Sequence, residues 1–119
     1  MRDMDSKIRI EEDCLKEIEL SKKELFSGNP ILMNIKIGVL YSEVGDINFD
    51  NKDLNKGKEN YLNSIEYFKN VLILDKKDIK SYNNLGNLYG KLSEINKKRR
   101  SLVKKKRIIL KQYVFCNLL

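Results

Sequence analysis

Side chains that could carry out catalysis are scarce in this chain of 119 residues. It contains no histidine, and therefore no imidazole general base, no Ser-His or Cys-His pair and no histidine metal ligand. Cys14 and Cys116 lie near opposite ends and outside any CxxC spacing, so they predict neither a zinc site nor a redox motif. Glu11 and Glu12 belong to a charged helix face with nothing to desolvate them, which argues against acid-base catalysis. The sequence predicts a protein that is not an enzyme and uses no cofactor.

Motifs for binding phosphate or calcium are absent or incomplete. The six glycines never form GxGxxG or GxxxxGK, the loops that cradle phosphates. Asp46, Asn48 and Asp50 match the first three ligands of a calcium-binding hand loop, but Asn51 stands where glycine is required and Gly57 where a bidentate glutamate belongs. We therefore expect a solvated polar loop here and no metal site.

The most concentrated charge lies in residues 97–107, KKRRSLVKKKR, which we call the basic tract. It holds eight cations and no acid, and because the chain's net charge is +7, the remainder carries −1. A local tract of this kind can contact nucleic acid or an anionic membrane, serve as a nuclear import signal, or form a solvated helix face. No stacking-aromatic motif of an RNA-binding fold accompanies it. The candidate contacts are Lys97, Lys98, Arg99, Arg100, Lys104, Lys105, Lys106 and Arg107.

The C-terminal end is apolar and allows two interpretations. Cys116 to Leu119 resembles a prenylation box downstream of a polybasic segment, although Asn117 is not aliphatic. Alternatively, Ile109, Tyr113 and Phe115 belong to a helix that caps the preceding structure. At 12 residues the apolar stretch from Ile108 onward is too short to cross a bilayer. No N-terminal stretch has the pattern of a signal peptide, so we expect a cytoplasmic protein.

Helical periodicity predicts the elements that position these residues. Residues 1–30 predict an N-terminal amphipathic helix that ends at SGNP, because Pro30 bars continuation of the backbone ladder. The polar residues 46–59 predict a loop, with room for a short extra turn of helix within it. No segment from 1 to 96 alternates at period two for long enough to predict a strand, so the fold class is all-α with about five or six helices. The further helices are expected over 31–44, 61–74 and 79–92.

Two of these helices resemble the two halves of a tetratricopeptide repeat. In residues 79–89, Tyr82, Leu85, Gly86 and Tyr89 fill the aromatic, Leu-Gly and Tyr positions of its first helix. Residues 61–75 resemble the second helix, with Ser64 at the small position. A helical bundle without repeats would place leucines and aromatics on a similar stripe. The resemblance implies an antiparallel helix-turn-helix superhelix in which Gly86 and Ser64 let neighbouring helices approach closely.

A weaker copy of the first-helix pattern comes from Ile37, Gly38 and Tyr41. The resemblance then implies one repeat over 31–78, with 46–59 as a polar insertion, and a second over 79–119. The second helix of the second repeat diverges, because Lys98 and Lys105 fall where small buried residues are expected.

Repeats of this family line a concave groove with their first helices, and polar residues there bind extended peptides. Asparagine suits such a groove, because its amide both donates and accepts hydrogen bonds. The equivalent residues of the first copy, Leu32, Ile35 and Val39, are apolar, and we expect them to pack against the N-terminal helix. The candidate partner-binding residues are Lys80, Asn83, Asn84, Asn87 and Lys91.

The resemblance favours a non-catalytic scaffold that binds a peptide or helix of another protein. One alternative is an electrostatic binder of membrane or nucleic acid through the basic tract. Another is a fragment of a longer repeat array. Self-association is a further expectation, because two repeats bury less core than the three or so that a stable array needs.

Overall fold

Four α-helices form nearly all of residues 4–118, the part of the chain that the computed structural model describes, with side chains over 10–117. No strand occurs in this part, so the predicted all-α class is confirmed. The side chain of Ile8, in the predicted first helix, and the terminal Leu119 lie outside the described residues. The helices are α1 (Met4–Glu24), α2 (Pro30–Asp50), α3 (Leu54–Leu74) and α4 (Ile79–Leu118).

The break between α1 and α2 falls at the predicted SGNP segment. The Asn29 side chain accepts hydrogen bonds from the backbone amides of Ile31 and Leu32, at 3.0 and 3.3 Å. Pro30 occupies the first helical position, where its missing N–H leaves no hydrogen bond unmade. The cap and the proline together fix where α2 begins.

The predicted polar loop over 46–59 is wrong, because only Asn51–Asp53 lies outside a helix. Lys52 adopts a positive φ of 63°, which turns the chain, and the Asp53 carboxylate caps α3 by accepting from the Lys56 amide at 3.2 Å. Asn48 is buried in α2, where its amide donates to Glu11 of α1 and its carbonyl oxygen accepts from Asn60 of α3. These tertiary hydrogen bonds override the preference of asparagine and aspartate for turns.

The predicted count of five or six helices is also not met, since the described residues form four. α4 runs unbroken through the basic tract for 40 residues. Between Lys91 and Leu118 it contains neither glycine nor proline, and its lysines and arginines are good helix formers. The described chain therefore does not turn back to form the second helix expected within 79–119.

The helices pack as successive antiparallel neighbours, α1 on α2, α2 on α3, and α3 on the first half of α4. Two apolar clusters hold them together. The first joins α1 to α2 through Cys14, Ile18, Ile37, Tyr41 and Val44. The second joins α3 to α4 through Tyr61, Ile65, Phe68, Leu85, Leu88 and Ile95.

Close packing between α2 and α3 depends on small residues. A Cβ atom on Gly45 would lie 2.5 Å from the Tyr61 ring, and one on Gly38 would lie 2.9 Å from the Phe68 ring. Ser64, which is fully buried, donates from its hydroxyl to the Gly38 carbonyl oxygen at 2.6 Å. The close approach of two helices predicted at Ser64 is thus observed, and the neighbouring helix is α2.

Gly86 does not have the packing role expected of it. No atom of another helix lies within 4 Å of the position that its Cβ would occupy. The reason is that α4 continues as one helix, so no second helix of the same repeat covers this face.

We expect Gly45→Ala to lower the free energy of unfolding by about 1–3 kcal/mol, because the buried Tyr61 ring cannot move aside without disturbing the core. Gly86→Ala is the matched control. It adds the same methyl group in open space and should raise stability by about 0.5–1 kcal/mol through better helix propensity. Urea unfolding followed by far-UV circular dichroism measures both. Shifts of the same sign for the two variants would contradict this packing.

Candidate binding groove

A groove of about 480 Å³ lies between α2 and the first half of α4, with Phe68 of α3 at its base. The side of α2 contributes Val39, Ser42 and Glu43. The side of α4 contributes Asn84, Gly86, Asn87, Leu88, Gly90, Lys91 and Glu94. These residues recur at three- and four-residue steps along each helix, which places them on one face.

Three of the five predicted partner-binding residues line this groove. They are Asn84, Asn87 and Lys91. Lys80 and Asn83 are exposed on α4 but are not part of the groove lining. Lys80 belongs to the first turn of α4, and Asn83 lies one step around the helix from Asn84.

Lys91 is engaged in a contact that joins three helices. Its Nζ lies 2.8 Å from Oδ1 of Asp46 in α2, and the same oxygen accepts a 2.6 Å hydrogen bond from the Tyr61 hydroxyl in α3. The Lys91 ammonium also lies 5.3 Å from the centroid of the Tyr61 ring. We call Asp46, Tyr61 and Lys91 the polar junction. It fixes α4 against the α2–α3 pair at one end of the groove.

The remaining charge of the groove is negative. Lys91 is paired with Asp46, whereas neither Glu43 nor Glu94 forms an ion pair with any other described residue. Glu43 Oε2 accepts from the Cys14 thiol at 3.7 Å, and burial together with the nearby Glu43 carboxylate raises the pKa of Cys14. Both glutamates are exposed, so a cationic group in the groove would meet two carboxylates.

Gly86 and Gly90 leave part of the α4 wall without side chains. No atom of another helix lies within 4 Å of the position that a Cβ on either glycine would occupy. A ligand can therefore approach the helix backbone more closely here than at any residue with a side chain.

Sequence reasoning missed the α2 side of the groove. Val39 was expected against the N-terminal helix, yet it is 39% exposed and lines the groove. Leu32 is 60% exposed, and Ile35 packs against the α3–α4 cluster. Helical spacing could have found Glu94, which lies three residues from Lys91 on the same face of α4, whereas Glu43 lies on the α2 side that was expected elsewhere.

The basic tract lies outside the groove, on the second half of α4. All eight of its cations are exposed. At its start, the Lys98 ammonium lies 4.3 Å from the centroid of the Phe49 ring. The structure therefore separates the two predicted sets of binding residues along one helix.

Among the described residues, no three or more cysteine, aspartate or glutamate side chains are grouped so that they could hold a metal ion. Asp46 and Asn48 of the incomplete calcium motif are engaged with other helices, Asp46 with α3 and α4 and Asn48 with α1 and α3. Within the same part of the chain, no helix is both long and apolar enough to cross a membrane.

Burial and the hydrogen bond to Asp46 raise the pKa of Tyr61 well above its ordinary value of 10.0. The folded protein therefore keeps this proton at a pH where the unfolded chain loses it. The resulting contribution to stability is complete below pH 10 and declines as the pH rises above it.

We expect the free energy of unfolding to fall less steeply between about pH 9 and about pH 11 in Tyr61→Phe than in the unaltered chain. Urea titrations across that range measure the difference. Tyr89→Phe, at a half-exposed position on α4, is the control and should follow the unaltered chain. Parallel curves for Tyr61→Phe and the unaltered chain would rule out a buried, hydrogen-bonded Tyr61.

Comparison with known proteins gives no family assignment, since no family model, no curated protein and no solved structure matches this chain. The resemblance to tetratricopeptide repeats stays a prediction made from the residues themselves.

Proposed function

We propose that this protein is a non-catalytic scaffold that holds an extended segment of another protein in the groove between α2 and α4. The observation that carries the proposal is that Asn84 and Asn87 line the same cavity as Glu43 of the facing helix. Asparagine amides can donate to and accept from a peptide backbone, while a carboxylate can accept from a lysine or arginine side chain.

The dimensions of the groove suit a short extended segment. From Asn84 to Glu94 the α4 wall covers ten residue steps, or about 15 Å. An extended peptide advances about 3.3 Å per residue, so four or five of its residues would lie along this wall. The cavity volume also falls within the range typical of ligand sites.

A repeat-like arrangement fits the same proposal. In it, α2 and α3 form one tetratricopeptide-like repeat, and the first half of α4 supplies the first helix of another. The contact between Gly38 and Ser64 supports this assignment, because both residues occupy the small positions of the repeat pattern. The straight continuation of α4 departs from the pattern and leaves the second repeat without its second helix.

The charge of the groove suggests which peptides it prefers. Because Glu43 and Glu94 have no cationic partner among the described residues, a peptide with a lysine or arginine should bind more tightly than one with acidic residues. The proposal therefore concerns extended segments that carry at least one cation.

We expect Asn84→Ala to weaken binding of such a peptide by roughly tenfold, the loss of about one or two hydrogen bonds. Labelled peptides of basic, neutral and acidic sequence provide the probes, and fluorescence anisotropy provides the affinities. Asn83→Ala is the matched control because Asn83 lies outside the groove lining, and the far-UV helical signal should be the same in both variants.

Glu43→Gln should reduce the preference for basic over acidic peptides while leaving the neutral peptide unaffected. Equal affinities for Asn84→Ala and Asn83→Ala, or no binding of any peptide class, would overturn the groove assignment.

A further inference from the structure

The second half of α4 leaves the helical body and is exposed along its length. Every described side chain from Asn96 to Asn117 is exposed. The 40 residues of α4 extend about 60 Å, which accounts for most of the molecule's 69 Å length. Near its base, Leu102 and Val103 adjoin Leu54 at the start of α3, and Lys98 lies over Phe49. From Arg107 onward, no hydrogen bond or ion pair joins the helix to another element among the described residues.

Five cations form one continuous stripe along this exposed helix. They are Lys97, Arg100, Lys104, Arg107 and Lys111. Their steps of three and four residues place them directly above one another. Like charges at this spacing disfavour the helix, and no acidic residue follows Glu94 to offset them. An anionic surface along the stripe would remove that repulsion.

Exposed apolar side chains follow the basic tract along the same helix. At 100° per residue they point in several directions around the axis, and Ile108 and Phe115, which are 56% and 64% exposed, lie beside the cationic stripe. Ile109, Leu110 and Tyr113 are 64%, 61% and 67% exposed, and Val114 is 48% exposed. The helix thus presents a basic segment followed along its axis by an exposed apolar segment.

We propose that residues 97–117 of α4 bind the surface of an anionic lipid bilayer, with the cations of the basic tract at the lipid headgroups and the apolar side chains within 108–115 in the interface. An anionic bilayer contacts both kinds of side chain favourably. A nucleic acid would neutralise the cations but would leave Ile109, Leu110 and Tyr113 in water. Exposed apolar side chains next to a cluster of lysines and arginines are typical of a surface that contacts an anionic membrane.

The charge distribution of the whole chain favours this ligand. The basic tract carries eight cations, whereas the rest of the chain sums to −1, so attraction to an anionic surface is confined to one helix. Each lysine or arginine near such a surface contributes about 1 kcal/mol. The contacts of Lys98 and Leu102 with the body hold the base of the helix, so the groove residues stay outside the lipid contact.

Co-sedimentation with vesicles tests the proposal on the full chain. One set of vesicles contains phosphatidylcholine alone, and the other also contains phosphatidylserine. We expect binding to the anionic vesicles only, with affinity that falls as salt is added. A chain that binds both vesicle types equally, or neither, would overturn the proposal.

Two variants separate charge from hydrophobic contact. Changing Lys104, Lys105 and Lys106 to glutamine should weaken vesicle binding on the order of 100-fold. Changing Ile109, Leu110 and Val114 to glutamine, all exposed and thus outside the core, should weaken it about tenfold or more without changing net charge. Circular dichroism verifies that both variants keep their helical content.

The matched control removes three exposed lysines from the body, in the variant Lys69→Gln, Lys76→Gln, Lys77→Gln. It has the same net charge as the first variant and should bind vesicles as the unaltered chain does. Equal losses in the two charge variants would show a net-charge effect and overturn the assignment to α4.

Two further results would also contradict the proposal. One is unchanged vesicle binding by the Ile109, Leu110 and Val114 variant, combined with tight, salt-sensitive binding of a DNA or RNA duplex; the ligand would then be nucleic acid. The other is a protein that sediments as a dimer and does not bind vesicles. The apolar side chains within 108–115 would then contact a second copy of the chain. Asn84→Ala should leave vesicle binding intact, so this test is independent of the peptide groove.

Discussion

The close approach of α2 and α3 is the contact on which the rest of the structure depends. Gly38 and Gly45 lie seven residues apart on one face of α2, and the rings of Phe68 and Tyr61 fill the spaces above them. Because the aromatic rings occupy the space that side chains at the two glycine positions would take, the two helices share a densely packed interface. The hydroxyl of Ser64 adds a buried hydrogen bond to the Gly38 carbonyl. This pair supplies the surface onto which α1 packs on one side and α4 on the other.

The polar junction links the α2–α3 pair to α4 at one end of the groove. Tyr61 is buried because its ring covers Gly45, and its hydroxyl therefore reaches Asp46 on the next turn of α2. Asp46 in turn forms a partly exposed ion pair with Lys91 that links α4 to α2, while the apolar cluster shared with α3 holds α4 in place. The space between α2 and α4 is the groove. The packing of Tyr61 on Gly45 thus places the polar junction beside the groove.

The continuity of α4 has two consequences for the surface of the molecule. Its first half packs on α3 and contributes one wall of an acidic, asparagine-lined groove. Its second half carries eight cations into solvent with apolar side chains beside them. Had the chain turned near Asn96, a second hairpin helix would cover Gly86 and bring Lys98 and Lys105 against the core, where unpaired charges are costly. The straight helix keeps those lysines in water.

The amino-acid sequence by itself determined the helical class, the break at residues 29–30, the buried face of α3 and the location of the basic tract. These features follow from local periodicity, capping and charge, which need no knowledge of distant residues. Of the buried face predicted for α4, Leu85 and Leu88 are buried, whereas Tyr82 and Tyr89 are 54% and 49% exposed. Tertiary structure alone decided that residues 46–50 and 54–59 are helical, because the turn-forming Asp46 and Asn48 bond to other helices. It also decided that Gly38 and Gly45, and not Gly86, provide the close contact, and that Glu43 joins Asn84 in one groove. Such pairings bring together residues far apart in sequence, so they depend on how the helices pack and leave no local signal.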